Sequence, residues 1–386
     1  MSNRWNMERA FTERPSPLHP LAGANFKNFF NKYFSNGPYE ARSIIPRTVA
    51  IGVNIARFPF YKYQSLRYDR EVLGAEIENG PIFIVGHWRS GTTHLHNIMS
   101  EDPQFGWVSF IQTVMPWDMI LEEKMPLARQ LIDKELPEKR GTDNVALSVD
   151  SPQEEEWAIG NLNELSFFNC YYFPRNYEYH FRRGVLLENT TAEEREGQEK
   201  AYERLVKTLH YVHKGKPLLF KNPSATARLP MLKKLFPNAR FVNIVRNPYA
   251  VYASSLARYP RLMSAFSWQK FTDIDFESHT FLAYETLMKK YLEDRDQIPA
   301  EDLIETSYEK LVEDPLREIN HIYRSFDIPL DDEARKKIEA YLETLKSYKK
   351  NVHKLTQRQV DRIQSKWQFV FDEYPYEMPE IEVIPE

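Results

Sequence analysis

The residues best able to do chemistry stand together in Gly86-His87-Trp88-Arg89-Ser90-Gly91-Thr92-Thr93. Glycines let successive backbone N–H groups turn toward one point, serine and threonine add hydroxyl donors, and arginine adds a forked, permanently charged donor. The spacing is that of a phosphate-binding loop, G-x-x-x-x-G-K-[ST], except that Thr92 stands where lysine is expected. That lysine serves the outer phosphates of a nucleoside triphosphate, so its replacement argues against such a ligand. Arg89, Ser90, Gly91, Thr92 and Thr93 are expected to hold a tetrahedral anion.

Two further cations close apolar runs. Lys216 to Pro223 reads as a buried strand ending in Lys221, and Arg240 to Pro248 as another ending in Arg246. A phosphate-loop NTPase places an aspartate for magnesium at such a strand end. Here both ends carry cations, so the site collects anions directly and no metal is expected. Ser254 follows Arg246 by eight positions, about two helical turns. A guanidinium at a strand end and a hydroxyl on the next helix can pinch a second phosphate.

These side chains need elements to place them. Ile82 to Val85 is a short apolar strand feeding the loop, and a helix opens at the threonines with about half a positive charge at its N-terminus. Trp107 to Gln112 reads as a further strand. Ser151, Pro152 and Glu154 have the pattern of a capping box with proline at the first helical position, which gives Glu154 a structural task. A polar helix starts near Asn189, a short one spans Leu229 to Phe236, and Asn247-Pro248 opens another. Leu303 to Leu311 is a strand running into a helix, followed by a helix from Asp314-Pro315 to Phe326. Alternating strands and helices predict right-handed β-α-β connections and a mainly parallel sheet, with ligands at the strand ends.

Composition narrows the function classes. Of 386 residues 42% are hydrophobic and 27% charged, as in globular proteins, and a net charge of −4 gives no global field for nucleic acid. Cys170 is the single cysteine, so neither an intramolecular disulfide nor a cysteine metal site is expected. The first residues lack a signal-peptide core, and the best apolar run, Thr48 to Ala56, falls far short of the roughly 20 residues of a membrane span. A cytoplasmic setting is the expectation. Residues 1 to 75 are aromatic and basic. Phe26, Phe29, Phe30, Tyr33 and Phe34 recur at helical spacing with Lys27 and Lys32 elsewhere on the wheel, which reads as a helical arm packed on the main domain. The sharper reading is peripheral contact with a membrane or a greasy substrate.

Taken in order, these motifs resemble the sulfotransferases that use 3′-phosphoadenosine 5′-phosphosulfate, over roughly residues 80 to 355. Residues 86 to 93 look like the family's 5′-phosphosulfate loop, Phe220-Lys221-Asn222-Pro223 like its central strand, and Val245-Arg246-Asn247-Pro248 through Ser254-Ser255 like its 3′-phosphate motif. Tyr308-Glu309-Lys310-Leu311 is similar to a segment whose tyrosine lies near the adenine. The resemblance implies an α/β fold, P-loop NTPase-like and three-layered, with a central mainly parallel sheet flanked by helices. Its expected divisions are a helical extension over 1–75, the α/β core over 76–330, and a helical and lid segment over 331–386. It implies 3′-phosphoadenosine 5′-phosphosulfate as co-substrate and in-line sulfuryl transfer to a hydroxyl, less readily an amine, of a small, lipidic or carbohydrate acceptor. Arg89 and the loop would hold the 5′-phosphosulfate, Arg246 and Ser254 the 3′-phosphate, and Lys221 would stabilise charge on the departing phosphate.

The general base departs from the family pattern. Pro223 stands where several cytosolic members carry histidine, Gln112 is no substitute for a glutamate, and the C-terminal Arg-Lys-Gly signature is missing. Glu154, Glu155 and Glu156 are the candidates, with Glu155 ahead because Glu154 has its capping task; His94 and His96 are alternatives. Lys349, Lys350 and His353 are expected to replace the lid over the 3′-phosphate. The competing functions are a degenerate phosphate-loop kinase, which would turn over ATP with magnesium, and a non-catalytic nucleotide-binding or membrane-associated module. The abundant aromatics, as in Phe167 to Phe173, suit an apolar acceptor cleft as well as plain packing.

Overall fold

A strand buried on both faces reads as an unbroken apolar run, whereas a half-exposed one alternates. The computed structural model shows continuous burial in β1 (Ile82–Val85), in β2 (Leu219–Lys221), which is apolar up to its final lysine, and, after its first residue, in β3 (Arg240–Val245), which is apolar but for Asn243; β4 (Leu303–Ser307), at the sheet edge, alternates. The structure describes residues 2–136, 147–346, 354–377 and 382–384. The sheet order is β2-β1-β3-β4. β1 and β3 pair in parallel from Ile82↔Arg240 to Val85↔Asn243, and β3 and β4 in parallel from Phe241↔Leu303 to Val245↔Ser307. All three therefore end on the same side, where Gly86, Arg246 and Tyr308 follow. A second parallel pair, β5 (Lys354–Thr356) with β6 (Glu382–Ile384), has no counterpart in the sequence reading.

The chain forms two compact units, each assembled from separated stretches. Unit 1 comprises Met1–Asn79, Gly106–Phe220 and Tyr259–Ile274, and unit 2 comprises Gly80–Phe105, Lys221–Arg258 and Asp275–Glu386. Unit 1 is helical. Its Phe26–Ser35 helix begins where the Asn25 side chain accepts from Asn28 N–H, and its Ala192–Val212 helix where Thr191 and Glu194 make a capping box. Phe167 to Phe173 are core side chains here. Phe168 stacks on Trp157 with ring centroids 3.6 Å apart.

Two local expectations in unit 1 give way. Val108 and Ser109 pair briefly with the chain at Pro152 and Gln153, and Gln153 N–H donates to Val108 O at 2.9 Å. Ser109 then caps a helix, Phe110–Val114, with Gln112 completing a capping box, so Trp107 to Gln112 is not a strand. Because the same pairing holds residues 152–153 extended, the following helix starts later, at Glu156 (Glu156–Leu162). Ser151 Oγ accepts instead from Ser148 N–H at 2.8 Å. Glu154 therefore has no capping-box task.

Lys32 also departs from its expected place. It is buried, and its Nζ donates to Gly160 O at 2.6 Å. The helix Phe26–Ser35 turns Asn28, Phe29 and Lys32 inward.

Candidate active site

The loop after β1 is shaped by contacts that only glycine tolerates. Gly86 has φ +132, and a Cβ there would lie 2.3 Å from Ile244 O. Its peptide groups are bracketed by Thr226, in the turn Pro223–Ala227 that follows β2: Gly86 N–H donates to Thr226 Oγ1 at 2.7 Å, and that hydroxyl donates to Gly86 O at 3.2 Å. Gly91 has φ +103, and a Cβ there would lie 2.5 Å from Tyr308 Cδ2. The helix Thr92–Ser100 starts immediately afterwards, its first bond running from Leu95 N–H to Gly91 O at 3.1 Å. The N–H groups of Thr92, Thr93 and His94 are those that an N-terminus leaves for capping groups or an anion.

Between the glycines, His87 is buried and its Nδ1–H donates to Trp88 O at 2.7 Å. Burial, helped by the charge of Arg258, lowers its pKa to about 3, so the ring stays neutral. Ser90 is buried and its Oγ finds no partner among the described residues; the same holds for Ser255 Oγ. A buried hydroxyl left over in such a loop is a ready donor to an anion.

The cations converge on this loop. Arg246 Nη1–H donates to Arg89 O at 3.1 Å, and its guanidinium lies 4.2 Å from the centre of the Tyr308 ring. Arg89 Nε–H donates to Ser254 Oγ at 2.7 Å. Arg89 itself has φ +75, a left-handed conformation unusual for a residue with a Cβ. Lys221 is 2% exposed at the end of β2, and the next residue's N–H donates to Ile84 O at 3.1 Å, fixing that strand end beside β1. Asn247 Oδ1 accepts from Tyr249 N–H at 3.1 Å at the start of the helix Pro248–Phe266, as its sequence position leads one to expect.

Unit 2 thus brings together Arg89, Ser90, Gly91, Thr92, Thr93, Lys221, Arg246, Ser254 and Tyr308. His94 is half-buried with its ring 6.4 Å from that of Tyr308. Glu154, Glu155 and Glu156 lie in unit 1; Glu155 is fully buried just before the helix Glu156–Leu162, and Glu156 Oε1 accepts from Phe167 N–H at 2.8 Å. Lys349, Lys350 and His353 lie outside the described residues. Thr226 escaped the sequence reading because its partner is 140 positions away and nothing local marks it.

The family model described as "Sulfotransferase family" matches residues 81–332, well over half the chain. The chain belongs to the sulfotransferase family. This sulfotransferase is 29% identical, over 318 residues, to the omega-hydroxy-beta-dihydromenaquinone-9 sulfotransferases Stf3 of Mycobacterium bovis and Mycobacterium tuberculosis, covering 82% of this chain and 80% of theirs. Its fold is that of sulfotransferase STF9 from Mycobacterium avium, with a TM-score of 0.69 and 18% identity over 100% of this chain and 97% of that one. Sulfotransferase STF1 from Mycobacterium tuberculosis H37Rv is similar at a TM-score of 0.60 and 17% identity, over 95% and 93% of the two chains.

Proposed function

We propose that this sulfotransferase moves a sulfuryl group from 3′-phosphoadenosine 5′-phosphosulfate to a hydroxyl of an apolar, lipid-like acceptor. The observation that carries the donor is the convergence of Arg246, Arg89 and Ser254 beside a phosphate loop that has Thr92 in place of lysine. When bound, the donor supplies a sulfuryl group joined through a bridging oxygen to its 5′-phosphate, with a second phosphate at the 3′ position. Arg89, Ser90 and the N–H groups of Gly91 to Thr93 hold the first anion; Arg246 and Ser254 hold the second. The orphaned Ser90 hydroxyl fits that assignment. Lys221 stabilises charge on the departing phosphate. A base takes the acceptor's proton as its oxygen bonds to sulfur, and Glu155, a buried carboxylate, is the candidate.

The acceptor class is supported by the Stf3 relatives, whose name specifies a hydroxylated menaquinone. The test of the donor is calorimetry with 3′-phosphoadenosine 5′-phosphate, ADP and ATP, with and without EDTA. We expect the bisphosphate to bind tightest, EDTA to change nothing, and Arg246→Ala to weaken it roughly 10- to 100-fold, the worth of charge-assisted hydrogen bonds. Equal or tighter binding of ATP with magnesium refutes the reading and favours a kinase.

A further inference from the structure

Two helices near the N-terminus of unit 1, Phe26–Ser35 and Ile44–Gly74, bury polar side chains among their apolar ones and leave large apolar side chains facing outward. In the helix Phe26–Ser35 the buried side carries Asn28 and Lys32 beside Phe29, while Phe26, Phe30 and Phe34 form an outer ladder with successive ring centroids 6.2 and 5.8 Å apart. Phe34 is 76% exposed. The ladder continues into the next helix, Ile44–Gly74, where Phe58 lies 5.4 Å from Phe26. That helix buries Pro46, Ala50, Asn54, Gln64 and Val72 and turns Ile44, Ile45, Ile55, Tyr63 and Leu66 outward, Leu66 being 88% exposed. Large apolar side chains facing water on two helices that touch through Phe26 and Phe58 mark an interaction surface.

Charge identifies the partner. The helices Phe26–Ser35 and Ile44–Gly74 hold seven lysines and arginines, of which Lys32 is buried and Arg57 is paired with Asp118, against two acids, Asp69 and Glu71, the first of them paired with Arg204, in a chain whose net charge is −4. A second copy of this face would bring like charges together, whereas an anionic surface complements them. No described helix is long and apolar enough to cross a membrane. An exposed helical face of aliphatic and aromatic side chains with interspersed Lys62 and Arg67 suits one that lies in the headgroup layer. We infer that the outer face of Phe26–Ser35 and Ile44–Gly74 docks this enzyme onto anionic lipid bilayers. The inference does not depend on the acceptor's identity.

The test is co-sedimentation of the full chain with vesicles of phosphatidylcholine alone or with about 30% phosphatidylglycerol. We expect binding to the anionic vesicles that weakens as salt rises, and little to the neutral ones. Phe34→Glu combined with Leu66→Glu should reduce it at least tenfold with an unchanged circular dichroism spectrum, since each loses apolar burial in the lipid. Lys62→Glu with Arg67→Glu gives an independent arm that should also weaken binding without touching the apolar side chains. Wild-type protein that stays in the supernatant with anionic vesicles overturns the inference, as do variants that bind undiminished. So does a dimer by light scattering that Phe34→Glu/Leu66→Glu abolishes while vesicle binding is absent, which would make this face a contact between copies.

Discussion

Lys32 gives a test of the packing that anchors the N-terminal helix in unit 1. Burial lowers its pKa from 10.5 to about 7, against the opposing pull of Glu164 and Glu156. Below pH 7 the folded and unfolded chains both hold the proton, and the fold bears the whole cost of a buried charge. Between 7 and 10.5 the folded state gives up the proton while the unfolded state keeps it, so stability rises with pH across that window. At about 1.4 kcal/mol per pH unit, the window is worth roughly 5 kcal/mol. Lys32→Met removes this dependence. The substitution orphans no carbonyl, because Gly160 O still accepts from Asn28 Nδ2 at 3.1 Å. Urea unfolding of both proteins from about pH 6.5 to about 9.5 is the assay. We expect Lys32→Met to be the more stable at the low end and its lead to shrink as the wild type gains with rising pH. Two parallel pH profiles would refute the reasoning, because they would mean that Lys32 keeps an ordinary ammonium in the fold.

Two predictions concern the site. Gly91→Ala should cost roughly 1–2 kcal/mol from its left-handed backbone alone, and more from displacing Tyr308, and should weaken 3′-phosphoadenosine 5′-phosphate binding; calorimetry and thermal unfolding matching the wild type would show that the loop takes another shape. Glu155→Gln should lower sulfuryl turnover roughly 100-fold or more while leaving bisphosphate affinity nearly unchanged; wild-type turnover in that variant would assign the base elsewhere.

What the sequence disclosed and what it hid follow from the range of the interactions involved. β1 and β3 are legible because burial on both faces forces largely apolar runs, interrupted in β3 only by Asn243 after its first residue, and the loop is legible because the backbone demands glycine at 86 and 91. Ser109 with Gln112 and Ser151 with Glu154 present the same local capping pattern, yet only the first is used. The choice is made by the pairing of residues 108–109 with 152–153, a contact no local window contains. Lys32 shows the same limit. A helical wheel separates it from Phe26, Phe30 and Phe34, but its inward place beside Phe29 goes with a bond to Gly160 O, far along the chain. Thr226 is hidden for the same reason, since its partner at Gly86 belongs to a different strand end.

The two proposed phosphate sites are mechanically one. Arg89 sits at φ +75, a conformation that costs an L-residue about 1–2 kcal/mol and persists only when its surroundings impose it. Arg246 helps impose it by donating to the Arg89 carbonyl, and Ser254 by accepting from Arg89 Nε. The pair proposed for the 3′-phosphate therefore also shapes the loop proposed for the 5′-phosphosulfate. Two guanidinium groups held this way repel each other, and anions delivered to both ends relieve that repulsion without rebuilding the loop. A donor with a phosphate at each end of its nucleoside satisfies both cations at once. A ligand with all its phosphates at one end leaves Arg246 and Ser254 facing no anion, which is the physical reason to expect the bisphosphate to outbind ATP.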